Sequence, residues 1–581
     1  MKLCRDVQFL SVILVFLLFV GGCAAPAAAP AAPPSDSAPI TTDVQATEAT
    51  QPAVVSIFPT LIDPRDQELR IAVATDASSL DPARASGSTS SMILHALYQT
   101  LVTASSDSLG TFEPNLADKW EYAEDAQSIT FHLRQESIFS NGDQVTAEDV
   151  KFSIERLKSI QGAPAYLANT IESVKVVDDF TVQLQLTEPD LAIVAKLADT
   201  AFSVLDDDTV LANNDEAETW LNANSAGSGP YVLESWDHDD IWLVSNPFYQ
   251  NYQDRIERIL VQIVPQQESR LVQLLSGEID IALDLGVEDF LTSKSQTNPD
   301  FNVVSEPTQN LVYLAMNQDP AIGGLVSDPQ VQKAIRLALD YEGIRELVGA
   351  TTTPPSFLPR GLPGAIDNEF FQDVNQAREI LEGGGYNCPS DPSSCEGIPL
   401  IYPEGSLFYS QFAEKVSADL KEIGLSIDLV PTDPRISFQG NHPLRLSSIG
   451  TDYLDASAYL GFLPGGSIAE RINWRDDDME ALRNEILTST DPVERNDMFM
   501  NAQVIVNDRG PYAFLVQTPV FTGLNSSVQK YSYNSQYTVS LVRLRRKCDC
   551  DQAASICSNI TVCSSGYCKR CARQCSNVSS C

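Results

Sequence analysis

The chain reads as an α/β protein, and three observations predict it. Residues 256–283, IERILVQIVPQQESRLVQLLSGEIDIAL, run strand, helix, strand: Gly277 ends the helix, and Ile279, Ile281 and Leu283 alternate after it. A strand–helix–strand unit of this length implies a partly parallel sheet. Residues 410–430, SQFAEKVSADLKEIGLSIDLV, repeat the pattern: Phe412, Val416, Leu420 and Ile423 line one helical face, Gly424 stops it, and Leu425, Ile427 and Leu429 open a strand. Third, about 480 of the 581 residues have ordinary globular composition, which gives room for two or three domains.

The elements follow in order. Gln67–Ala74 is a strand, with Leu69, Ile71 and Val73 alternating. A helix then places Ile93, Leu94, Leu97 and Leu101 on one face. ITFHLR has strand period in Ile129, Phe131 and Leu133, and Asn141-Gly142-Asp143 is a turn. Thr146 and Asp149 make a helix start, with Val150, Ile154 and Leu157 as its stripe. In VKVVDDFTVQLQL, Asp178–Asp179 separate two runs rich in β-branched residues, which signals a hairpin. SDPQVQKAIRLALD pairs Ser327 with Gln330 as a capping box and puts Val331, Ala334, Ile335, Ala338 and Leu339 on one face. NQAREILEGGGY is a helix stopped by three glycines.

The amino-terminal end indicates a compartment. Lys2 and Arg5 precede an apolar run from Phe9 to Val20, 12 residues long. A helical span needs about 20, so the run fits a secretion signal. Small residues follow, then Cys23. Val20-Gly21-Gly22-Cys23 resembles the lipobox of bacterial lipoproteins, which implies removal of residues 1–22 and lipid on Cys23. Residues 23–66, rich in Ala, Pro, Ser and Thr, have no helical or strand period and read as a disordered tether.

Composition excludes some partners. Asp+Glu 78 against Lys+Arg 38 gives a formal net charge of −40. A body this acidic repels nucleic acid, whose binding rests on Lys and Arg at phosphates. Of 12 cysteines, Cys388 and Cys395 bracket a short loop, and Cys548, Cys550, Cys557, Cys563, Cys568, Cys571, Cys575 and Cys581 crowd residues 548–581. Outside the cytoplasm these read as disulfides. The tail has no histidine and its spacings do not repeat, so no metal site and no cofactor are expected, although the Cys568–Cys571 pair keeps a zinc or iron–sulfur reading open. There is no GxSxG elbow, HExxH helix or GxxxxGK loop. The four histidines, His95, His132, His238 and His442, are not at ligand spacing from one another. The chain is therefore expected not to be an enzyme. The alternatives are a secreted hydrolase using a carboxylate pair and a surface adhesion protein with the Cys-rich tail as its contact module.

A family is visible in the order of several stretches: DASSLDPARASGSTSSMILHALYQTLV, EPNLADKW, ITFHLRQESIFSNGDQVTAEDVKFSIER, SAGSGPYVLESW, NPFY, SGEIDIAL, YLAMNQDP and SDPQVQKAIRLALD. From Leu69 to about Val542 the chain resembles the peptide/nickel-type solute-binding proteins of bacterial ABC importers, family 5. The resemblance implies a two-lobed, periplasmic-binding-protein-like (class II) α/β fold with an extra domain inserted in lobe I. Lobe I would comprise 67–108, 225–310 and 506–547, the insert 109–224, and lobe II 311–505. It implies a monomer at the outer face of the bacterial membrane that binds a small solute in an interlobe cleft and passes it to an ABC permease and its ATPase. A peptide is the first candidate; an opine, a sugar or a metal chelate stay open. In peptide-binding members an aspartate of lobe II pairs with the ligand's amino terminus. The matching stretch IGTDYLDASAYL puts that residue at Asp452, between Thr451 and Tyr453, with Ile449 where tryptophan is frequent and Ala456 where proline is usual. Asp452 could equally cap the helix that follows. Further cleft candidates are Tyr313, Asn317, Ser228, Gly229 and Ser78; Gly229 is most simply a turn glycine.

Overall fold

The computed structural model describes residues 68–547, apart from 214–216, 250–254, 296–299, 351, 389, 391–394 and 440. The signal segment with Cys23, the tether and the Cys-rich tail lie outside the described residues. Among the described residues, no helix is long and apolar enough to cross a membrane.

Alternating apolar residues produce the strands. In chain order these are β1 (Glu68–Val73), β2 (Val102–Ala104), β3 (Phe112–Pro114), β4 (Ala117–Tyr122), β5 (Ser128–Leu133), β6 (Ile171–Asp178), β7 (Thr181–Leu186) and β8 (Tyr231–Trp236). They continue as β9 (Asp240–Ser245), β10 (Arg258–Ile263), β11 (Ile281–Leu285), β12 (Phe301–Met316), β13 (Ile398–Pro403), β14 (Ile427–Thr432), β15 (Leu444–Ile449) and β16 (Tyr512–Asn525). Ten of them form one sheet in the order β14-β13-β15-β12-β16-β11-β1-β10-β9-β8, and β4-β5-β7-β6 form a second. The strand–helix–strand unit is present, with β1 lying between β10 and β11 and parallel to both. Its helix, Gln267–Ser276, ends on Gly277 at φ 74°, a conformation glycine adopts without steric cost.

Two long strands divide the large sheet into lobes. β12 and β16 pair antiparallel from Phe301↔Asn525 to Pro307↔Pro519, then shift register and resume at Leu311↔Gln517. Proline on both strands removes two ladder donors at that point. Side chains take over: the Thr308 hydroxyl lies 2.9 Å from the Thr518 carbonyl and 2.8 Å from its hydroxyl, and the Gln517 amide donates to the Thr308 carbonyl at 3.2 Å. A broken ladder held by a few side chains is a natural place to bend. Lobe I holds β8–β11 and β1 on one side of this break; lobe II holds β13–β15 on the other. Phe412, Val416, Leu420 and Ile423 of the lobe II helix Leu407–Glu422 and its exit are fully buried in a core shared with helix Pro329–Ala338.

The four-stranded sheet has its own core, with helix Ala147–Ile160 laid across it through Val150, Ile154 and Leu157. The Asp149 carboxylate accepts from both the backbone N–H and the hydroxyl of Thr146, each at 2.8 Å, as that pattern predicts. Asp178 and Thr181 face each other across the β6–β7 hairpin.

Three local expectations need correction. Helix Pro329–Ala338 is capped by Asp328, whose carboxylate accepts from the Gln330 N–H at 2.7 Å. Ser327 instead bonds back to the Gly324 carbonyl; Pro329, fixed in φ, holds the first helical position and moves the cap one residue on. The helix also stops at Ala338, so Leu339 is buried beyond its end. The first helix is Ser88–Leu97; Tyr98 turns extended, so Leu101 is buried but outside it.

Candidate functional site

The loop after β15 carries Thr451, Asp452, Tyr453 and Leu454 out of lobe II toward the four-stranded domain. It leaves from the break between the lobes. Gly450 passes the exposed Asn310 side chain so closely that a Cβ would lie 2.2 Å from its oxygen and would make that side chain shift. The Tyr459 phenol donates to the Gln309 carbonyl at 2.6 Å, and the Thr451 hydroxyl lies beside that phenol.

Each residue of the loop meets a different surface. The exposed Asp452 carboxylate accepts a hydrogen bond from the phenol of Tyr166, which the four-stranded domain presents 47% exposed. Burial, then the Asp452 carboxylate, pushes that phenol well above the usual tyrosine range. Asp199 of the same domain is pushed up to about 7, by burial first and by the Asp452 charge in addition, while its carboxylate accepts from the Ala201 N–H at 2.8 Å. Tyr453 packs against the core of the four-stranded domain, and the Lys196 ammonium stands 5.5 Å from its ring centroid. Leu454 meets Ala104 and Tyr537 of lobe I. The capping role open to Asp452 belongs to Asp455, whose carboxylate accepts from the Ser457 N–H at 2.8 Å. Asp455 is also gripped by both arms of Arg495 at 2.7 and 2.9 Å. Burial works to raise the Asp455 carboxyl, but the hydrogen bonds and charge of Arg495 outweigh it and hold the group below the usual aspartate range. Between the domain and lobe II runs a crevice of about 170 Å³ lined by Asp190, Lys196, Tyr453, Ser457, Thr488 and Arg495. The Lys196–Asp190 pair closes to 2.6 Å at its wall. Chemically, this is a surface of paired charges and aromatic hydroxyls.

The other sequence candidates lie elsewhere. Tyr313 is buried inside lobe II, edge-on to Phe462 at 4.9 Å and Tyr512 at 6.1 Å. Asn317 is fully buried, and its oxygen accepts from the Asp319 N–H and the Asn473 amide. Ser228 is buried. Gly229 lies in a bend, as expected, and has a further reason to be glycine: a Cβ there would lie 2.4 Å from the Leu97 carbonyl carbon at the end of helix Ser88–Leu97. Ser78 organises the loop after β1: its hydroxyl donates to the Ser86 carbonyl at 2.8 Å and accepts from the Ser86 N–H at 3.0 Å. That leaves Ser86, Gly87 and Ser88 exposed, with Gly87 at φ 87°. Cys388 and Cys395 are joined, Cα atoms 5.5 Å apart. Sequence reasoning passed over Tyr166, Asp199 and Lys196, which sit far from Asp452 in the chain.

Residues 111–470 match the family described as bacterial extracellular solute-binding proteins, family 5 (Middle). The chain belongs to that family. Among its relatives is the Escherichia coli (strain K12) protein named "Probable D,D-dipeptide-binding periplasmic protein DdpA", 27% identical over 81% of this chain and 92% of that one. Heme-binding protein A of Haemophilus influenzae is 26% identical over 74% of this chain and 84% of its own length. Of solved structures, the unliganded open form of the murein tripeptide binding protein MppA superposes with a TM-score of 0.72 at 21% identity, covering 83% of this chain and 97% of that one. HbpA2 from Haemophilus parasuis gives 0.72 at 22% identity, over 83% of this chain and all of that one. The family-5 fold, two lobes with a domain inserted in lobe I, is thus the fold of this chain.

Proposed function

We propose that this chain is the lipid-anchored receptor of an ABC importer, capturing a peptide or similar small solute between its lobes and delivering it unaltered to the membrane permease. One observation carries the reading: the Asp452 loop of lobe II meets the four-stranded domain and is tied beside the break in β12 and β16 by the Tyr459–Gln309 bond. A solute that binds both faces at once favours the closed arrangement, since only differential affinity can drive closure. Asp452 is exposed and has a phenol as its partner, so a solute ammonium could take that phenol's place. The relatives' names, a D,D-dipeptide and heme among them, span several solute classes, so the solute is sought directly.

The test is mass spectrometry of small molecules released from the purified protein. The expected result is one solute per chain, bearing a free ammonium and recovered chemically unchanged. Substituting Asp452→Asn should weaken its rebinding by about 2 kcal/mol or more, some thirtyfold, since truncating one partner of such a pair leaves the other unmatched. A converted product would point to a hydrolase. For the anchor at Cys23, Cys23→Ser should move the protein from the membrane to the soluble fraction, because a chain without acyl groups loses about 0.8 kcal/mol per buried methylene.

A further inference from the structure

Lobe I and the four-stranded domain form a second cavity, of about 510 Å³, with no lobe II residue in its lining, although Leu454 of the Asp452 loop packs on the Ala104 and Tyr537 of its wall. Its size falls in the range of small-molecule sites, about 300–1,000 Å³. The end of helix Ser88–Leu97, the segment after β5 and the carboxyl-terminal segment supply its walls. His95 stacks on Tyr537, ring centroids 3.7 Å apart and 13° from parallel, so one wall is a rigid aromatic pair. Burial lowers the imidazole to about 4, so this wall is uncharged at neutral pH.

The charges that remain are unevenly placed. Arg134 and Arg543 both line the cavity, and their side chains are only 38% and 34% exposed. The acids of the lining, Asp107 and Glu113, are exposed at the solvent rim. Neither arginine is tightly matched. Arg134 spends its Nε on the Asn115 carbonyl at 2.8 Å and stands 3.9 Å from Glu136; Arg543 stands 3.7 Å from Asp107. Charge-assisted bonds normally close to about 2.7–2.9 Å. The structural arginines do so: Arg156 meets Asp81, and Arg495 meets Asp455, through both arms at 2.6–2.9 Å. In a chain of net charge −40, a cavity whose lining balances two loosely held guanidinium groups against two carboxylates is a local departure from the general excess of acid.

We propose that this cavity is a second binding site, for a small organic anion whose carboxylate or phosphate group sits between Arg134 and Arg543, separate from the interlobe cleft. Calorimetric titration of the full-length protein with succinate and with inorganic phosphate, at constant ionic strength, tests it and tells the two anion classes apart. The expected result is saturable one-to-one binding of at least one probe, weakened tenfold or more by Arg134→Gln and by Arg543→Gln and unchanged by Asp452→Asn. Arg543 lies on the partly exposed rim, so Arg543→Gln carries the test if the other variant fails to fold. No saturable binding of either probe, indifference to both arginine substitutions, or loss of binding in Asp452→Asn would each overturn the proposal.

Discussion

On its lobe I side the four-stranded domain is held by a fork: Arg156 reaches from its helix to Asp81 with two bonds of 2.6 and 2.7 Å, and Asp81 is 0% exposed. On its lobe II side the polar link is a phenol and a carboxylate, Tyr166 and Asp452, both exposed to solvent. The contrast teaches which joint is permanent. A buried, doubly bonded ion pair is costly to break, because it strands a charge without water. An exposed hydrogen bond exchanges with water at little cost. On the proposed function the domain moves as part of lobe I, and the Tyr166–Asp452 bond is the first of its contacts with lobe II to exchange as the cleft opens, ahead of the packed Tyr453.

The largest expected effect breaks the permanent joint. Arg156→Ala should destabilise the protein by about 3 kcal/mol in urea unfolding, since buried Asp81 would keep only the looser Arg84, 3.6 Å away, as its charge partner. A loss below about 1 kcal/mol would erase the distinction. Next, Gly229→Ala should cost about 1–3 kcal/mol, because the new methyl meets the Leu97 carbonyl at 2.4 Å inside a packed lobe I. Asp199 sharpens the comparison through pH. Its folded pKa of about 7 lies above the model-peptide value of 3.8, so the native state binds the extra proton between those values. The stability this contributes is complete below about pH 4 and is lost as pH rises through 7. Asp199→Asn should remove that slope, leaving the variant about 1–2 kcal/mol better off relative to wild type at pH 8 than at pH 5 in paired thermal melts. The smallest effect falls on the openable joint: Tyr166→Phe should change global stability by less than about 1 kcal/mol.

Much of this was legible locally. The strand–helix–strand unit, the Thr146–Asp149 helix start and the β6–β7 hairpin each depend on residues close in the chain, where periodicity and capping act. The Ser327 cap failed by one residue because Asp328-Pro329 is the stronger start signal in the same stretch. Leu101 was assigned to a helix because it is apolar and in phase, although Tyr98 had already left helical geometry. The site was less legible for a different reason. Tyr166 and Asp452 stand 286 residues apart, and nothing local marks a phenol in APAYLA as facing another lobe. Gly229 reads as a turn residue, and only the placed Leu97 backbone shows that close approach also demands it.

The most direct measurement is the distance distribution between spin labels at two exposed positions, Val177 of the four-stranded domain and Val493 of lobe II, in protein stripped of its solute and then reloaded with the molecules it released. A shorter, narrower distribution on reloading, with the solute recovered intact, is the predicted result. A distribution that does not change would contradict closure of the two lobes over a shared guest.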